Sequence, residues 1–256
     1  MGTFGDVTVD VDADFVATVE LNRPPNNHFD IELIGSLAEA FEALDEEPGC
    51  RAILLCSEGR HFCAGADFSG RAGPISDRSR HLYDEAVRLF ATSTPVVAAV
   101  QGAAVGGGLG LAMAADFRVA SPEARFVANF ARLGFHHGFA LSVTLPAAVG
   151  QQRALELLLT GRRVPGEEAL RMGLCDRLVP ADRLRDEAHS LAAEIAAGAP
   201  LAVRSIRETM RYGMAARVRK ALDRERAEQE RLRVTEDFTE GVRATAERRS
   251  PNFAGR

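Results

Sequence analysis

The sequence predicts an α/β fold built from right-handed βαβ crossovers. Three short apolar segments, at 50–57, 95–100 and 117–120, have the length and composition of buried strands. Helical patterns separate them, which is typical of a parallel sheet. A glycine- and alanine-rich loop follows each of the first two segments, at 61–67 and 101–108. These loops are the first places to look for a ligand site, because ligands bind beyond the carboxyl ends of strands in such folds.

A boundary lies near Gly198 and Pro200, after which the pattern is helical with little strand character. We therefore expect an α/β core over residues 1–198 and an all-helical region over 199–256. A helical tail without a core of its own packs on its own domain or on a neighbouring subunit. The tail is accordingly predicted to serve oligomerisation.

Each element of the first half follows from a local signal. Alternating apolar and polar residues predict a hairpin of strands at 7–11 and 15–21. Two prolines and three asparagines make 22–27 a loop. Asp30 is predicted to cap a helix, because apolar residues then recur at helical spacing: Leu33, Leu37, Phe41 and Leu44.

The second half is predicted to be mainly helical. A helix at 83–90 leads into the strand at 95–100, and a helix of small and aliphatic residues runs from the glycine loop to Asp116. Further helices are predicted at 153–159, from Pro165 to a C-cap at Gly173, and at 182–197, 201–211 and 217–233.

Composition excludes several classes of protein. The net charge of −5 over 256 residues gives no sign of the basic surface that binds nucleic acid. The four cysteines show no CxxC spacing, which fits a reducing compartment and argues against a metal site. No signal peptide is recognised at the start, and no apolar run approaches the roughly 20 residues of a membrane span. We expect a cytoplasmic protein that binds neither nucleic acid nor membrane.

The glycine run suits an anionic group. Glycines let the backbone approach a ligand closely, and the first amides of the following helix lack internal partners. Its dipole favours negative charge there. Such a place can hold a phosphate, a carboxylate or a developing oxyanion. A nucleotide is disfavoured, because neither G-x-x-x-x-G-K-[ST] nor G-x-G-x-x-G is present.

Several motifs together resemble the crotonase superfamily of enoyl-CoA hydratases and isomerases, over essentially the whole chain. They agree with that family in order and spacing. The motifs are N-R-P at 22–24, F-C-A-G-A-D at 62–67, A-V-x-G-x-A-x-G-G-G at 99–108, A-A-D ending at Asp116, L-L-L-T-G-R-R at 157–163, A-x-x-x-G-L at 169–174 and E-G-V-R-A-T-A-E-R-R-S-P-N-F at 240–253.

The resemblance implies a spiral of ββα units with a C-terminal trimerisation region, assembled as trimers or hexamers. It also implies an acyl-CoA thioester as ligand, with coenzyme A as part of the substrate and no separate cofactor. The two backbone N–H groups that bind the thioester oxygen map onto Ala66 and Gly107. Arg23 and Ala64 match positions that contact coenzyme A in relatives, and Arg23 can equally be a surface arginine. Asp67 is assigned to the binding loop, as a carboxylate that accepts backbone hydrogen bonds.

The usual acids are missing. The two glutamates of typical hydratases map onto Gly110 and Phe130, and the carboxylate of dienoyl-CoA isomerases maps onto Gly138. General acid–base help contributes roughly 10²–10⁴-fold to a rate, so ordinary hydration is expected to be weak.

Histidines are the candidate replacements. His136 and His137 lie in the segment that in relatives runs along the active site near the attacking water. In an extended segment only one of the two would face the pocket. His137, next to Gly138, is favoured. Asn129 is a possible orienting amide, and Phe130 is expected to line an apolar acyl pocket.

Two classes of function remain open at this stage. The first is an enzyme on an acyl-CoA: an isomerase, a decarboxylase, a C–C hydrolase or an unusual hydratase. The second is a non-catalytic acyl-CoA-binding or scaffold protein. The intact glycine and alanine loops favour the enzyme, and the missing carboxylates favour the scaffold.

Overall fold

Two sheets organise the chain. The computed structural model describes residues 2–66 and 81–256, so Asp67 lies outside the described residues. The strands of the described residues are β1 (Gly2–Phe4), β2 (Val7–Val11), β3 (Val16–Leu21), β4 (Ala52–Ser57), β5 (Val96–Val100), β6 (Ala103–Val105), β7 (Phe117–Ala120), β8 (Arg125–Val127), β9 (Arg163–Pro165) and β10 (Arg177–Leu178).

Helices pack on both sheets and make up most of the chain from Pro200 to Ala246. They are α1 (Ile31–Asp45), α2 (Leu82–Ala91), α3 (Gly107–Ala114), α4 (Leu141–Val149), α5 (Gln151–Thr160), α6 (Gly166–Met172), α7 (Leu184–Ala196), α8 (Pro200–Met210), α9 (Met214–Arg233) and α10 (Glu236–Ala246), with 3-10 turns at Asn129–Leu133 and Ala181–Arg183.

The larger sheet has the strand order β1-β2-β3-β4-β5-β7-β10 over the described residues. The first three strands are antiparallel, and from β3 onward each neighbouring pair is parallel. Strand β4 is buried along its whole length, as expected for a strand covered on both faces. The predicted hairpin and the α/β crossovers are therefore confirmed. The smaller sheet, in the order β6-β8-β9, was not predicted.

Helix α1 begins where its sequence predicts. The side chain of Asp30 accepts a hydrogen bond from the Leu33 amide at 2.9 Å, which satisfies one of the free N–H groups of the first turn. The apolar positions of the helix, including Leu37 and Phe41, are buried.

The two faces of the larger sheet have separate cores. Ile53 and Leu55 of β4 pack with α1 to α4, whereas Leu54 and Cys56 pack against α7. This division follows from the alternation of side chains along a strand. The face covered by α1 to α4 is the one from which the candidate site is built.

The C-terminal helices pack back on the core. Helix α9 contacts α2, and α10 contacts the 3-10 turn at Asn129–Leu133. A Cβ atom on Gly241 of α10 would lie 2.4 Å from the carbonyl carbon of Leu133, so the glycine permits this close approach. Residues 199–256 therefore contact the α/β core. Their role in oligomerisation stays a prediction. Within the described parts of the chain, no helix combines the length and apolarity needed to cross a bilayer.

Candidate active site

The first glycine loop is hydrogen-bonded to its neighbours on two sides. The Cys63 amide donates to the Ala103 carbonyl at 3.0 Å, and the Phe29 amide donates to the Gly65 carbonyl at 3.1 Å. Gly65 has a φ of +96°, and a Cβ there would lie 2.8 Å from the Val105 carbonyl oxygen. The loop is therefore held against β6 in a conformation that requires glycine.

The second glycine loop lies directly on the first. Gly106 donates its amide to the Val127 carbonyl at 2.8 Å, and α3 begins at Gly107. A Cβ on Gly107 would lie 2.3 Å from Cζ of Phe29, and a Cβ on Gly108 would lie 2.1 Å from the Cys63 carbonyl oxygen. The glycine run is explained by this packing.

Two backbone amides remain available where the loops meet. The Ala66 N–H donates to no hydrogen-bond acceptor within the described residues, and the same is true of the Gly107 N–H, in the first turn of α3. Both residues line a cavity of about 410 Å³. Two unpaired donors in residues that line one cavity suit the binding of an oxyanion.

The cavity is mostly apolar, with a few polar groups. Apolar side chains in its wall include Phe29, Phe130, Leu133, Phe135, Phe139 and Val242. The polar side chains of the described wall are His28, Tyr83, Asn129, Gln229, Arg233 and Thr245. A pocket of this size and character suits a small apolar acyl group whose orientation a few polar contacts fix.

Comparison with known proteins agrees with this geometry. A family model described as enoyl-CoA hydratase/isomerase matches residues 12–256. The chain belongs to the enoyl-CoA hydratase/isomerase family. A putative enoyl-CoA hydratase of Thermus thermophilus is 36% identical over 253 residues, which cover 96% of this chain and all of the relative. A carnitinyl-CoA dehydratase of Proteus mirabilis is 34% identical, over 94% of this chain and 95% of the relative.

Solved structures of the family share the fold. A crystal structure of an enoyl-CoA hydratase/isomerase from Pseudoalteromonas atlantica aligns with a TM-score of 0.89 at 32% identity, covering 97% of this chain and all of that one. An enoyl-CoA hydratase from Mycobacterium avium aligns with a TM-score of 0.85 at 30% identity, over 98% and 99% of the two chains. The predicted crotonase fold is therefore confirmed.

Five of the residues predicted for the site line the same cavity: Ala64, Ala66, Gly107, Asn129 and Phe130. The predicted Asp67 falls outside the described residues.

Arg23 is not among the described residues of the cavity wall. Its Nε lies 2.6 Å from a carboxylate oxygen of Asp6, and its Nη1 lies 2.7 Å from one of Asp30. The contacts observed for Arg23 therefore join the loop at 22–27 to the start of α1.

The two predicted histidines lie outside the described wall of the cavity, contrary to the expected placement. Their rings stack with centroids 4.2 Å apart, so they do not alternate between faces. Residues 135–138 form no strand, so the alternation expected of an extended segment is not imposed on them.

Each histidine is engaged in the loop that carries it. The Nδ1 of His136 lies 2.7 Å from the His137 carbonyl oxygen, and Nε2 of His137 lies 2.8 Å from Oγ of Ser142. That hydroxyl donates to Glu225 at 2.6 Å, so Nε2 of His137 is the donor in its own contact. Burial, together with the neighbouring His136, lowers the pKa of His137 to about 4. His137 is therefore neutral at pH 7.

A buried carboxylate from α9 holds this loop in place. Glu225 accepts hydrogen bonds from the Ala140 amide at 2.9 Å and from the Ser142 amide at 3.1 Å. It also accepts the Ser142 hydroxyl, and its own side chain is fully buried. Glu225 thus caps the start of α4 from a distant helix.

Other side chains fill the space beside Gly110 and Gly138. A Cβ on Gly110 would lie 2.4 Å from Cβ of Phe139. A Cβ on Gly138 would lie 1.9 Å from the hydroxyl oxygen of Tyr83 and 2.5 Å from Nε2 of Gln229. No carboxylate is found in the described wall of the cavity. An acid could not be added at either glycine without displacing these neighbours.

Tyr83 and Gln229 form a hydrogen-bonded pair in the wall. The Tyr83 hydroxyl donates to Oε1 of Gln229 at 2.8 Å, and Nε2 of Gln229 donates to the His136 carbonyl at 3.0 Å. Burial raises the pKa of Tyr83, so the phenol stays protonated.

Sequence reasoning missed His28, Tyr83, Gln229 and Arg233. The last two are four residues apart on α9 and so share one face of the helix, which is a weak signal for a common surface. His28 stands in a loop between Pro25 and Asp30, where periodicity gives no direction for a side chain.

Proposed function

We propose that the protein binds an acyl-CoA thioester and stabilises an enolate of its acyl group. The observation that carries the proposal is the pair of amides, Ala66 and Gly107, that face one largely apolar cavity without partners in the described chain. Coenzyme A enters as part of the substrate. Relatives named enoyl-CoA hydratase and carnitinyl-CoA dehydratase support this substrate class.

The two amides would act on the thioester oxygen. As a proton leaves the carbon next to the thioester, negative charge grows on that oxygen, and both N–H groups donate to it. One such donor is worth roughly 3–4 kcal/mol in the transition state. The position of Gly107 at the start of α3 adds the favourable end of the helix dipole.

Ordinary hydration is expected to be slow. Addition of water needs groups that orient the water and deliver a proton, and the described wall offers no carboxylate for either task. Isomerisation, decarboxylation and C–C cleavage can all pass through the same enolate. They are the reactions that this site supports best.

A non-catalytic acyl-CoA-binding protein is the second candidate. The occupied positions beside Gly110 and Gly138 favour it, because they leave those sites without an acid. The tight glycine packing favours the enzyme, since a scaffold has no need for two unpaired amides in a cavity.

The test is a panel of acyl-CoA thioesters of varied chain length and polarity. Binding is expected to raise the melting temperature by mass action, and mass spectrometry of the incubated panel is expected to show at least one converted thioester. Binding without conversion would favour the scaffold. The absence of any shift across the panel would refute thioester binding, and crotonyl-CoA hydration at the rate of an ordinary hydratase would refute the interpretation of Gly110 and Phe130.

The proposal includes a trimer, or a hexamer formed as a dimer of trimers. Helix α8 and the turn after it carry large apolar side chains that are exposed in the single chain, among them Leu201 at 83% and Met210 at 80%. Native mass spectrometry distinguishes a trimer from a hexamer. A monomer at micromolar concentration would contradict the predicted role of residues 199–256.

A further inference from the structure

His28 lies on the oxyanion side of the cavity. It is part of the cavity wall, and its Nδ1 lies 3.2 Å from the Gly65 carbonyl oxygen. The next residue, Phe29, pairs with Ala66 in an isolated parallel bridge, and its ring is in the way of any side chain at position 107. The imidazole is thus attached to the same short segment that positions both amide donors.

The hydrogen bond to Gly65 determines the tautomer of His28. A carbonyl oxygen can only accept, so Nδ1 carries the hydrogen and donates it. In the neutral ring Nε2 then holds a free lone pair, and no described residue forms a hydrogen bond with it. A histidine whose Nδ1 donates to a backbone carbonyl has its other nitrogen ready to accept a proton.

The other titratable side chains of the described wall cannot serve as the base. Tyr83 is buried and already donates to Gln229. The guanidinium of Arg233 carries N–H donors and no acceptor, so it has no lone pair with which to take a proton. Within the described wall, His28 is therefore the side chain whose free ring nitrogen can accept a proton.

We propose that His28 is the catalytic proton carrier of this site. Its Nε2 takes the proton from the carbon next to the thioester carbonyl. The C–H bond breaks, an N–H bond forms on the imidazole, and the electron pair of the C–H bond moves into the enolate. The oxygen of that enolate accepts from the Ala66 and Gly107 amides. The imidazolium then returns the proton to the same carbon or to another carbon of the conjugated acyl group. The inference rests on the proposed function.

Exchange of the α-proton with solvent deuterium tests the step. A saturated acyl-CoA, which cannot be hydrated, is incubated with the protein in D₂O, and mass spectrometry follows the gain of deuterium in the acyl group. Wild-type protein is expected to catalyse this exchange, because the imidazolium N–H equilibrates with D₂O before the proton returns.

Two variants separate catalysis from support of the loop. The amide of His28→Asn can still donate to the Gly65 carbonyl but cannot carry the proton, whereas His28→Phe keeps the bulk of the ring and loses both. We expect both to lose about 10²–10⁴-fold in exchange rate and to keep the ligand-induced rise in melting temperature. Free imidazole is expected to restore part of the rate to His28→Ala.

A surface histidine provides the matched control. His189 lies on α7, on the opposite side of the sheet, and its ring contacts Asp12. His189→Gln is expected to exchange at the wild-type rate. Retention of the full rate by His28→Asn would show that His28 only supports the loop, and full activity in His28→Phe would remove any role. If wild-type protein binds thioesters but exchanges no α-proton, the proposed enolate chemistry is refuted, and the role of His28 as proton carrier is refuted with it.

Discussion

The backbone half and the side-chain half of the cavity are built in different ways. In the backbone half, the loops that end at Ala66 and Gly107 pack through glycines at which an added Cβ would lie only 2–3 Å from a neighbouring atom. In the side-chain half, the segment from Gly134 to Ser142 is held by Tyr83, Glu225 and Gln229 from α2 and α9. Amide donors need only small residues around them, so they persist when side chains change. A proton-transferring group depends on which side chain fills a given volume, and beside Gly110 and Gly138 that volume is filled by Phe139, Tyr83 and Gln229.

The largest effect is expected in the backbone half. Gly107→Ala places a Cβ 2.3 Å from Phe29, so either the ring or the start of α3 must move and one donor is misplaced. We expect the α-proton exchange rate to fall by about 10²–10³-fold. Gly49→Ala is the control, because its Cβ would meet only the flexible end of Glu47 at 3.1 Å. Equal rates in the two variants would mean that Gly107 is not a donor.

The side-chain half should respond to acid. His137 is held neutral, with its pKa lowered to about 4 by burial and by His136. A histidine with a depressed pKa in the folded state stabilises the protein above its unfolded pKa near 6.5, and this contribution is lost as pH falls toward 4. Such a shift corresponds to about 3 kcal/mol at most.

Urea unfolding at a series of pH values measures this loss. His137→Gln is expected to flatten the fall in stability between pH 6.5 and pH 4 relative to wild type. A parallel fall in both proteins would show that His137 does not titrate in this way. His137→Gln also distinguishes His137 from His28 as the proton carrier. If His28 carries the proton, the variant should exchange the α-proton at the wild-type rate.

Loss of the loop's carboxylate should reduce stability by a smaller amount. Glu225→Gln replaces one carboxylate oxygen, which accepts hydrogen bonds, by an NH₂ group, which donates them. That group would face the Ala140 N–H, or the N–H and hydroxyl of Ser142. We expect the free energy of unfolding to fall by about 2 kcal/mol, the range for hydrogen bonds to a charged group. Glu230→Gln, on the exposed side of α9, should leave the unfolding curve unchanged.

The smallest expected effect is a coupling between Gly138 and Tyr83. Gly138→Ala puts a Cβ 1.9 Å from the Tyr83 hydroxyl, whereas the ring carbon that bears this hydroxyl is 3.0 Å away. Tyr83→Phe removes the hydroxyl oxygen, the atom nearer to the added Cβ. Gly138→Ala should therefore lower the free energy of unfolding less in the Tyr83→Phe protein than in wild type. A double-mutant cycle is expected to give a coupling of about 1 kcal/mol. Strict additivity would show that the hydroxyl does not occupy the place of the missing acid.

The difference between the two halves also explains what the sequence could predict. The glycines and alanines at 61–66 and 101–108 predict the two loops. Asp30 predicts the start of α1, because its side chain can cap the helix and apolar residues at helical spacing follow it. Strands β6, β8 and β9 have three residues each, too few to show a period, and their pairing is set by tertiary contacts.

The side-chain half depends on contacts that are distant in sequence. Tyr83 and Gln229 are 146 residues apart, and no local pattern brings them together. The expected alternation of His136 and His137 is not found, because residues 135–138 form no strand and the two rings stack on each other.

The fit of Gly241 against Leu133 has a consequence for the timing of turnover. Because Val242, Thr245 and Ala246 of α10 belong to the cavity wall, fraying of that helix would open the cavity to water. A loosely attached helix would favour entry of the proposed thioester, whereas a firmly attached one would protect the proposed enolate from water. The rate at which amide hydrogens of α10 exchange with solvent would report the balance between the two.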